Sequence, residues 1–577
     1  MALVLLFAYG LVRIAIMGFS LNNTYNELRG VQSSATSENL DSSILALDAA
    51  VNASSAAASG ADDPIVQAFN YLPIVGQDLS ALGSVSRHGH KVLQALQQVV
   101  SYTNTINQLK GSLNPTVIGT LRNSVVALNG AVQSANIELS KIKSPDLHFG
   151  LSEKMATAQK LMAKTAVAMA TATPMVQVGA EIVSSQAEQR WFIATQNLAE
   201  SRAQGGIIGA YAVITVADGK VSLEKFGSDN ELLAMGPINF KSYPDELRDI
   251  WGVDLTDWRD LNASAHAPYA AQLIYDGWKQ KTGKLLDGVV FVGQGTVSHM
   301  TAASGEFSVR GNKLNTENIA DFLAKGIYAK YPDVKTKNLV VTEVMRKLFT
   351  NLTTKKLDSS SFIRSLAQGK TGDRLVAWSS NKKVQQVFAS EGIGGIVSEQ
   401  MGSNTLVTVN NAGGNKLEAY ANVSLTYTQG KCGKTTFAGF PARESTITIK
   451  FENAAPKRGL PAYVTPRLDT NFTGEKRIRG SNRELVTVYG PVGSEDIGFW
   501  VDDKEYMASA GIDRNHPIWV FDVETFPGKT RTLKVKFLEP TVNKQLEALS
   551  AGASMTPPVM FNPVNVSVRA GEQCSSR

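Results

Sequence analysis

The chemistry most legible in this sequence lies in residues 191–211, WFIATQNLAESRAQGGIIGAY. An apolar run at Trp191, Phe192 and Ile193 predicts a strand, and residues 207–216 predict a second. Between them stand Gln196, Asn197, Glu200, Ser201, Arg202 and Gln204, and then Gly205 and Gly206. A strand, a polar turn, two glycines and a strand is how a binding edge is built at the end of a sheet. Glycines let backbone N–H groups come close to a ligand. Arg202 offers a planar, permanently charged donor fork suited to phosphate. A hairpin with a solvated turn is the plainer alternative for the same residues.

Two further groups could join that edge. Asp229 and Asn230 follow the second hairpin strand, and Trp258, Arg259, Asp260, Leu261 and Asn262 lead towards a helix expected at Tyr269. Arg202 and Arg259, with acidic and amide oxygens, are what a diphosphate with a divalent cation requires. Arg259 and Asp260 read equally well as a solvated pair before a helix. Fragments of the penicillin-binding serine set, SxxK at 222–225, SDN at 228–230 and KTG at 281–283 and 370–372, are a decoy. The SxxK serine must open a helix, and here it lies in an alternating strand. No HExxH, P-loop, GxSxG or GxGxxG fingerprint occurs. His266 and His299 lack partners spaced for metal and read as surface or core histidines.

These residues must be positioned by a long, multidomain α+β chain. At 577 residues it exceeds one core, and three or four domains are expected. Hydrophobic content of 43% with 19% charged residues describes an ordered protein. A net charge of +6 is weak for this length. It does not argue for nucleic acid, no RNA- or DNA-reading motif occurs, and it is compatible with an anionic surface or ligand.

Residues 1–20 predict a membrane anchor, its cytoplasmic end clipped or very short, because positions 2–19 are apolar apart from Arg13. Arg13 could snorkel towards an interface. Residues 21–189 predict a helical bundle or stalk. Val85, Val92, Val99 and Ile106 recur every seven residues, and Leu121, Val125, Leu128, Val132, Ala135 and Leu139 alternate by four and three. Asn114-Pro115 is a helix-start pair, and a last helix runs from Leu151 to Pro174 or beyond. His88 and His90 are expected near a helix start and exposed.

Residues 190–400 alternate strand and helix, an α/β or α/β/α arrangement. Helices are expected at 269–282, 316–331, 340–352 and 362–366, a hairpin about Asp218-Gly219, and a doubly buried strand at 286–294. From 401 to 577, seven short alternating runs separated by Gly, Pro, Asn and Asp predict a β-sandwich region. The two cysteines, Cys432 and Cys574, are either one disulfide or two separate buried thiols. The disulfide is favoured, because it would order an otherwise polar tail.

The segments WFIATQNLAESRAQGGIIGAYAVI and DLNASAHAPYAAQLIYDGWKQKTGKLLDGVVFVGQGTVSHMTAASGEFSV resemble an uncharacterised bacterial envelope domain distantly related to the LytR-CpsA-Psr family. The likeness spans residues 190–395, with Arg202, Gly205, Gly206 and Gly209 its most specific block. It implies a membrane-anchored, extracytoplasmic protein that binds a polyprenyl-diphosphate-linked glycan and transfers it to an acceptor hydroxyl, with Mg²⁺ as cofactor. Envelope proteins and the membrane would be its partners. The resemblance makes Arg202 the phosphate-binding arginine and sets Asn197 at a Mg²⁺-binding position. It makes Asp229 the acid of an Arg-Asp pair, a metal ligand or base, and Asn262 the amide before the helix. Arg259 would share charge stabilisation, with Glu200, Gly205, Gly206, Asn230 and Asp260 lining the ligand. The chain departs from that pattern. Asn197 replaces a carboxylate, Gln204-Gly205 replaces Asp-Thr, and Ser228 replaces an arginine. The late arginine-rich stretch holds only Lys335 and Lys337. The non-catalytic alternative is an envelope scaffold that binds the glycan or its lipid carrier without turnover.

Overall fold

The computed structural model describes residues 2–36, 40–108, 114–239, 256–355, 361, 375–400, 405–469, 477–541, 559–560 and 565–569. The chain is a mixed α+β protein that divides into two compact units. One is built from Met1–Glu188 with Val216–Val221, and the other from most of the remainder.

The first unit is helical: α1 (Ala2–Thr36), α2 (Leu40–Ala61), α3 (Pro64–Phe69), α4 (Val75–Gln108), α5 (Pro115–Ser140) and α6 (Leu151–Ser184). The helix does not stop where the apolar run ends near residue 20, because no proline interrupts it, and it continues through polar residues to Thr36. Small residues let α1 approach its neighbours. A side chain at Gly10 would strike the Phe69 ring, and Gly60 makes room for Met17. Arg13 does not reach for an interface. Its Nε pairs with Asp63 at 3.1 Å, and the same carboxylate oxygen accepts from the Tyr9 hydroxyl. The other Asp63 oxygen caps α3, with Pro64 in the first turn, so the chain breaks after α2 and restarts as a capped helix. Asn114 caps α5 in the same way, and Val125, Leu128, Val132, Ala135 and Leu139 are its buried stripe. His88 and His90 lie inside α4 rather than at its start, and His90 Nδ1 shares a hydrogen bond with Ser54 Oγ. Pro174 lies within α6. Among the described residues α6 is the helix long and apolar enough to cross a membrane by length and composition.

The second unit begins with a mixed sheet of order β3-β2-β1-β4-β7. Its strands are β1 (Gln189–Arg202), β2 (Gly205–Ala217), β3 (Lys220–Ser228), β4 (Gly288–Val292) and β7 (Leu375–Ser379). A small hairpin, β5 (Phe307–Val309) and β6 (Asn312–Leu314), lies apart. β1 pairs parallel with β4, which pairs antiparallel with β7. The polar stretch expected as a turn is strand instead: β1 runs on through Arg202, and only Ala203 and Gln204 turn the chain.

Helices cover both faces. α7 (Asp229–Ala234) follows β3, and α8 (Ala267–Thr282) lays Ala270, Ala271, Ile274 and Trp278 against Phe192, Tyr211 and Phe291. The opposite face packs under α9 (Gln294–Ser304), the segment Ile319–Lys330 and α10 (Val334–Thr354), with Val297, Ile327, Tyr328, Val340 and Val344 in the core. The helix expected at 316–331 is broken by a π turn at Phe322–Gly326. The expected helix at 362–366 lies outside the described residues. β7 and α11 (Lys382–Ser390) were not read from the sequence.

Two sheets complete the unit. Their strands are β8 (Leu406–Asn411), β9 (Ala421–Thr435), β10 (Pro441–Asn453), β11 (Asn482–Tyr489), β12 (Glu495–Val501), β13 (Lys504–Glu505), β14 (Ser509–Asp513), β15 (His516–Thr525), β16 (Thr530–Pro540), β17 (Val559–Met560) and β18 (Asn565–Arg569). The orders are β13-β12-β16-β10-β9-β18 and β14-β15-β11-β8-β17. Alternate residues of both sheets, among them Val409, Ile449, Val488, Phe521 and Val535, share one core.

Candidate functional site

β1, β3 and β4 run in one direction, because β1 and β4 pair parallel and two tight hairpins return the chain to β3. Their C-terminal ends therefore share an edge, where ligands of α/β sheets bind. Asn197 and Glu200 stand there on β1, Asp229 opens α7 just after β3, and Gln294 opens α9 just after β4. Tyr328, Lys337 from the start of α10, and Lys416 beyond β8 complete the group.

Lys337 is the unusual member. It is only 8% exposed, because it continues the buried stripe of Val340, Val344 and Leu348. Among the described residues its ammonium makes no hydrogen bond or salt bridge. It lies over the Tyr328 ring, 5.5 Å from the centroid. Burial pushes this amine below the usual lysine range, and the Asp229 carboxyl opposes that shift. Burial in turn pushes Asp229 above the usual carboxylate range, against the field of Lys337.

The neighbours are fixed. Asn197 donates from Nδ2 to the Tyr328 hydroxyl at 2.5 Å, and its Oδ1 accepts from Ala199 N at 3.0 Å. Gln294 Nε2 donates to the same oxygen at 3.4 Å. Lys416 is paired with Glu200 at 2.8 Å. A desolvated ammonium with unmet donors, on a rigid floor, is suited to bind an anion.

Arg202 is buried too, but its fork is engaged within the protein. Nε donates to Arg259 O at 3.0 Å, Nη1 to Ser201 O and Asn411 O, and Nη2 to Asp260 at 2.8 Å. It clamps the end of β1 to the segment before α8 and to β8. The two arginine side chains do not converge: Arg259 offers Arg202 its carbonyl, while its own guanidinium pairs with Asp257 at 2.5 Å. Asn262 donates to Gly206 O at 2.7 Å, and Gln204 to Ser264 O and Ala265 O. Asn230 is exposed beside the site, and its N–H donates to Asp229 Oδ1.

The glycines serve the strands. A Cβ at Gly206 would sit 2.2 Å from Asn197 O, and Gly205 has φ +129°, where a side chain is strained. The donor set does not fit a Mg²⁺ ion. Asn197 Oδ1 already accepts two N–H groups and Asp229 faces an ammonium. Among the described residues no three His, Cys, Asp or Glu side chains are grouped to hold a metal.

The sequence reading placed Asn197, Glu200 and Asp229 at the site but passed over Tyr328, Gln294 and Lys416. Lys337 stood in plain view as a lysine where arginines were expected. The spacing 337, 340, 344, 348 is the signal that marks it as inward-facing. His266 is a core histidine: Nδ1 accepts from Val397 N at 3.1 Å, and burial pushes its pKa down to about 3. Cys432 is disulfide-bonded, while Cys574 lies outside the described residues.

No curated protein and no solved structure matches the chain, and nothing in the comparisons links it to LytR-CpsA-Psr proteins. Residues 186–328, which carry Asn197, Glu200, Asp229 and Tyr328, match the family model described as a protein of unknown function (DUF4012).

Proposed function

We propose that this chain is an extracytoplasmic, membrane-anchored protein of envelope glycopolymer assembly that holds a polyprenyl-diphosphate-linked glycan at the Lys337 edge without turning it over. The carrying observation is the buried Lys337 ammonium, which has no hydrogen-bonding partner among the described residues. A diphosphate supplies the oxygens it lacks. The disulfide-bonded Cys432 suits an oxidising compartment. The anchor reading is supported by α1, where Leu11, Val12, Ile16 and Phe19 remain exposed on a helix packed through Met17 and Gly10. The LytR-CpsA-Psr likeness supplies the substrate class. Binding is favoured over transfer because Arg202 spends its donors inside the fold and the acidic positions do not assemble a Mg²⁺ site.

One observation favours a second reading, phosphoryl-glycosyl transfer. A carboxyl raised by burial, as Asp229 is, suits a general base. The acceptor hydroxyl would attack phosphorus, its proton would pass to Asp229, and the polyprenyl phosphate would leave. The test is binding of a short-chain polyprenyl-diphosphate-linked sugar to the full chain in detergent, with and without Mg²⁺, followed by assay for release of the polyprenyl monophosphate with a glycan acceptor present. Saturable binding that ignores Mg²⁺, with no release, is expected. Release that needs Asp229 would establish the transferase, and absence of binding by folded protein would end both readings.

A further inference from the structure

The interior of the β-sandwich is apolar along most of its length and polar at one end. Val407 and Val409 of β8 are followed on the same face by Asn411. Val488 and Val486 of β11 give way to Glu484 and Asn482, and Phe521 and Val523 of β15 to Thr525. Register sets Glu484 opposite Asn411, and Asn482 opposite Thr525. The connection after β8 adds Asn415 and Glu418. Asn411 Nδ2 donates to Asn415 O and to Glu418 Oε1, and Asn415 Nδ2 donates to Ser481 O at 2.6 Å. These residues therefore close over one another at the polar end of the core.

Their oxygens are left over. Glu418 Oε2, Glu484 Oε2, Asn415 Oδ1 and both amide atoms of Asn482 are buried without a hydrogen-bonding partner. Asn415, Asn482 and Glu484 are each no more than 1% exposed. Neither carboxyl is paired with a basic side chain among the described residues, and Lys416 is committed to Glu200. One orphaned buried oxygen is costly, and four gathered at one end of the core, two of them acidic, call for a common partner.

We infer that this polar end of the sandwich is a binding site for one hard divalent cation of the calcium class, held by oxygens of Glu418, Glu484, Asn415 and Asn482. Carboxylate and amide oxygens together are the ligand set calcium takes in its flexible coordination. Magnesium surrenders its water reluctantly and fits a dry, carboxylate-poor cage less well. The site's ligands are other residues than those of the Lys337 edge, although the field of Glu200 reaches both Glu418 and Lys337, and the inference does not rest on that edge's ligand.

The test is calorimetric titration of CaCl₂ into chelator-treated full chain at pH 7. Expected are one saturable site and a calcium-dependent rise in Tm that exceeds the rise with MgCl₂. Glu484→Gln should weaken that site at least tenfold and remove the Tm response. Lack of binding at millimolar calcium, a Tm rise with MgCl₂ equal to that with CaCl₂, or equal binding by Glu484→Gln would overturn the inference. The comparison of the two cations uses the unmodified protein, so it stands even if Glu484→Gln fails to fold.

Discussion

Arg202 and Lys337 are both cations buried to the same degree, 8% exposed, in the same compact unit. Arg202 is met by three carbonyls and a carboxylate. Lys337 is met by an aromatic face and by the fields of Asp229 and Glu200. A satisfied buried charge holds a fold together, whereas an unsatisfied one is a cost that a ligand can remove. The residue that looks most like chemistry in the sequence is thus the brace, and the plainer lysine carries the binding potential.

The largest expected effect lies on the satisfied side. Arg202→Ala strands the Asp260 carboxylate and the carbonyls of Arg259 and Asn411, and should cost about 3–5 kcal/mol in denaturant unfolding. A cost below ~1 kcal/mol would erase the contrast. The same contrast among acids gives the next effect. Glu484 is raised from 4.5 to about 8 in the folded state, so the fold binds a proton that the unfolded chain has released. Its contribution is full below pH ~4.5 and is lost as pH rises to about 8, at up to about 1.4 kcal/mol per pH unit. Unfolding free energy measured from pH 5 to 9 without divalent cations should follow that slope, and Glu484→Gln should flatten it.

Lys337→Met should be neutral to stabilising by about 1–2 kcal/mol, because it replaces a buried ammonium that makes no hydrogen bond among the described residues with an apolar chain. Destabilisation by a similar amount would mean that the ammonium is already satisfied. Arg259→Ala should change stability by less than ~1 kcal/mol, because its pair with Asp257 is half-exposed.

Much of the fold was legible because period and punctuation agree in it. Six of the C-terminal alternating runs lie within strands, the seventh follows β18 from Asn565 on after a first residue outside the described ones, and Asn114-Pro115 caps its helix as read. β7 escaped because Leu375–Ser379 is a five-residue apolar run without alternation, even though Gly372-Asp373 and Ser380-Asn381 flank it. The polar end of β1 escaped because its side chains satisfy one another across the fold, through Arg202 to Asp260 and Asn197 to Tyr328. Those contacts join residues 58 and 131 positions apart, beyond the reach of local pattern. The glycine pair was legible as a close approach, but what approaches is the Asn197 carbonyl and not a ligand. Lys337 could be read as inward-facing from its helical stripe, while its lack of a partner could not.

The most direct measurement is the affinity of a short-chain polyprenyl diphosphate for the full chain beside Lys337→Met, at fixed ionic strength. Saturable binding by the unmodified protein, weakened at least tenfold in the folded variant, is the expected result. Equal affinity in the two proteins would contradict the assignment of Lys337 as the anion-holding group.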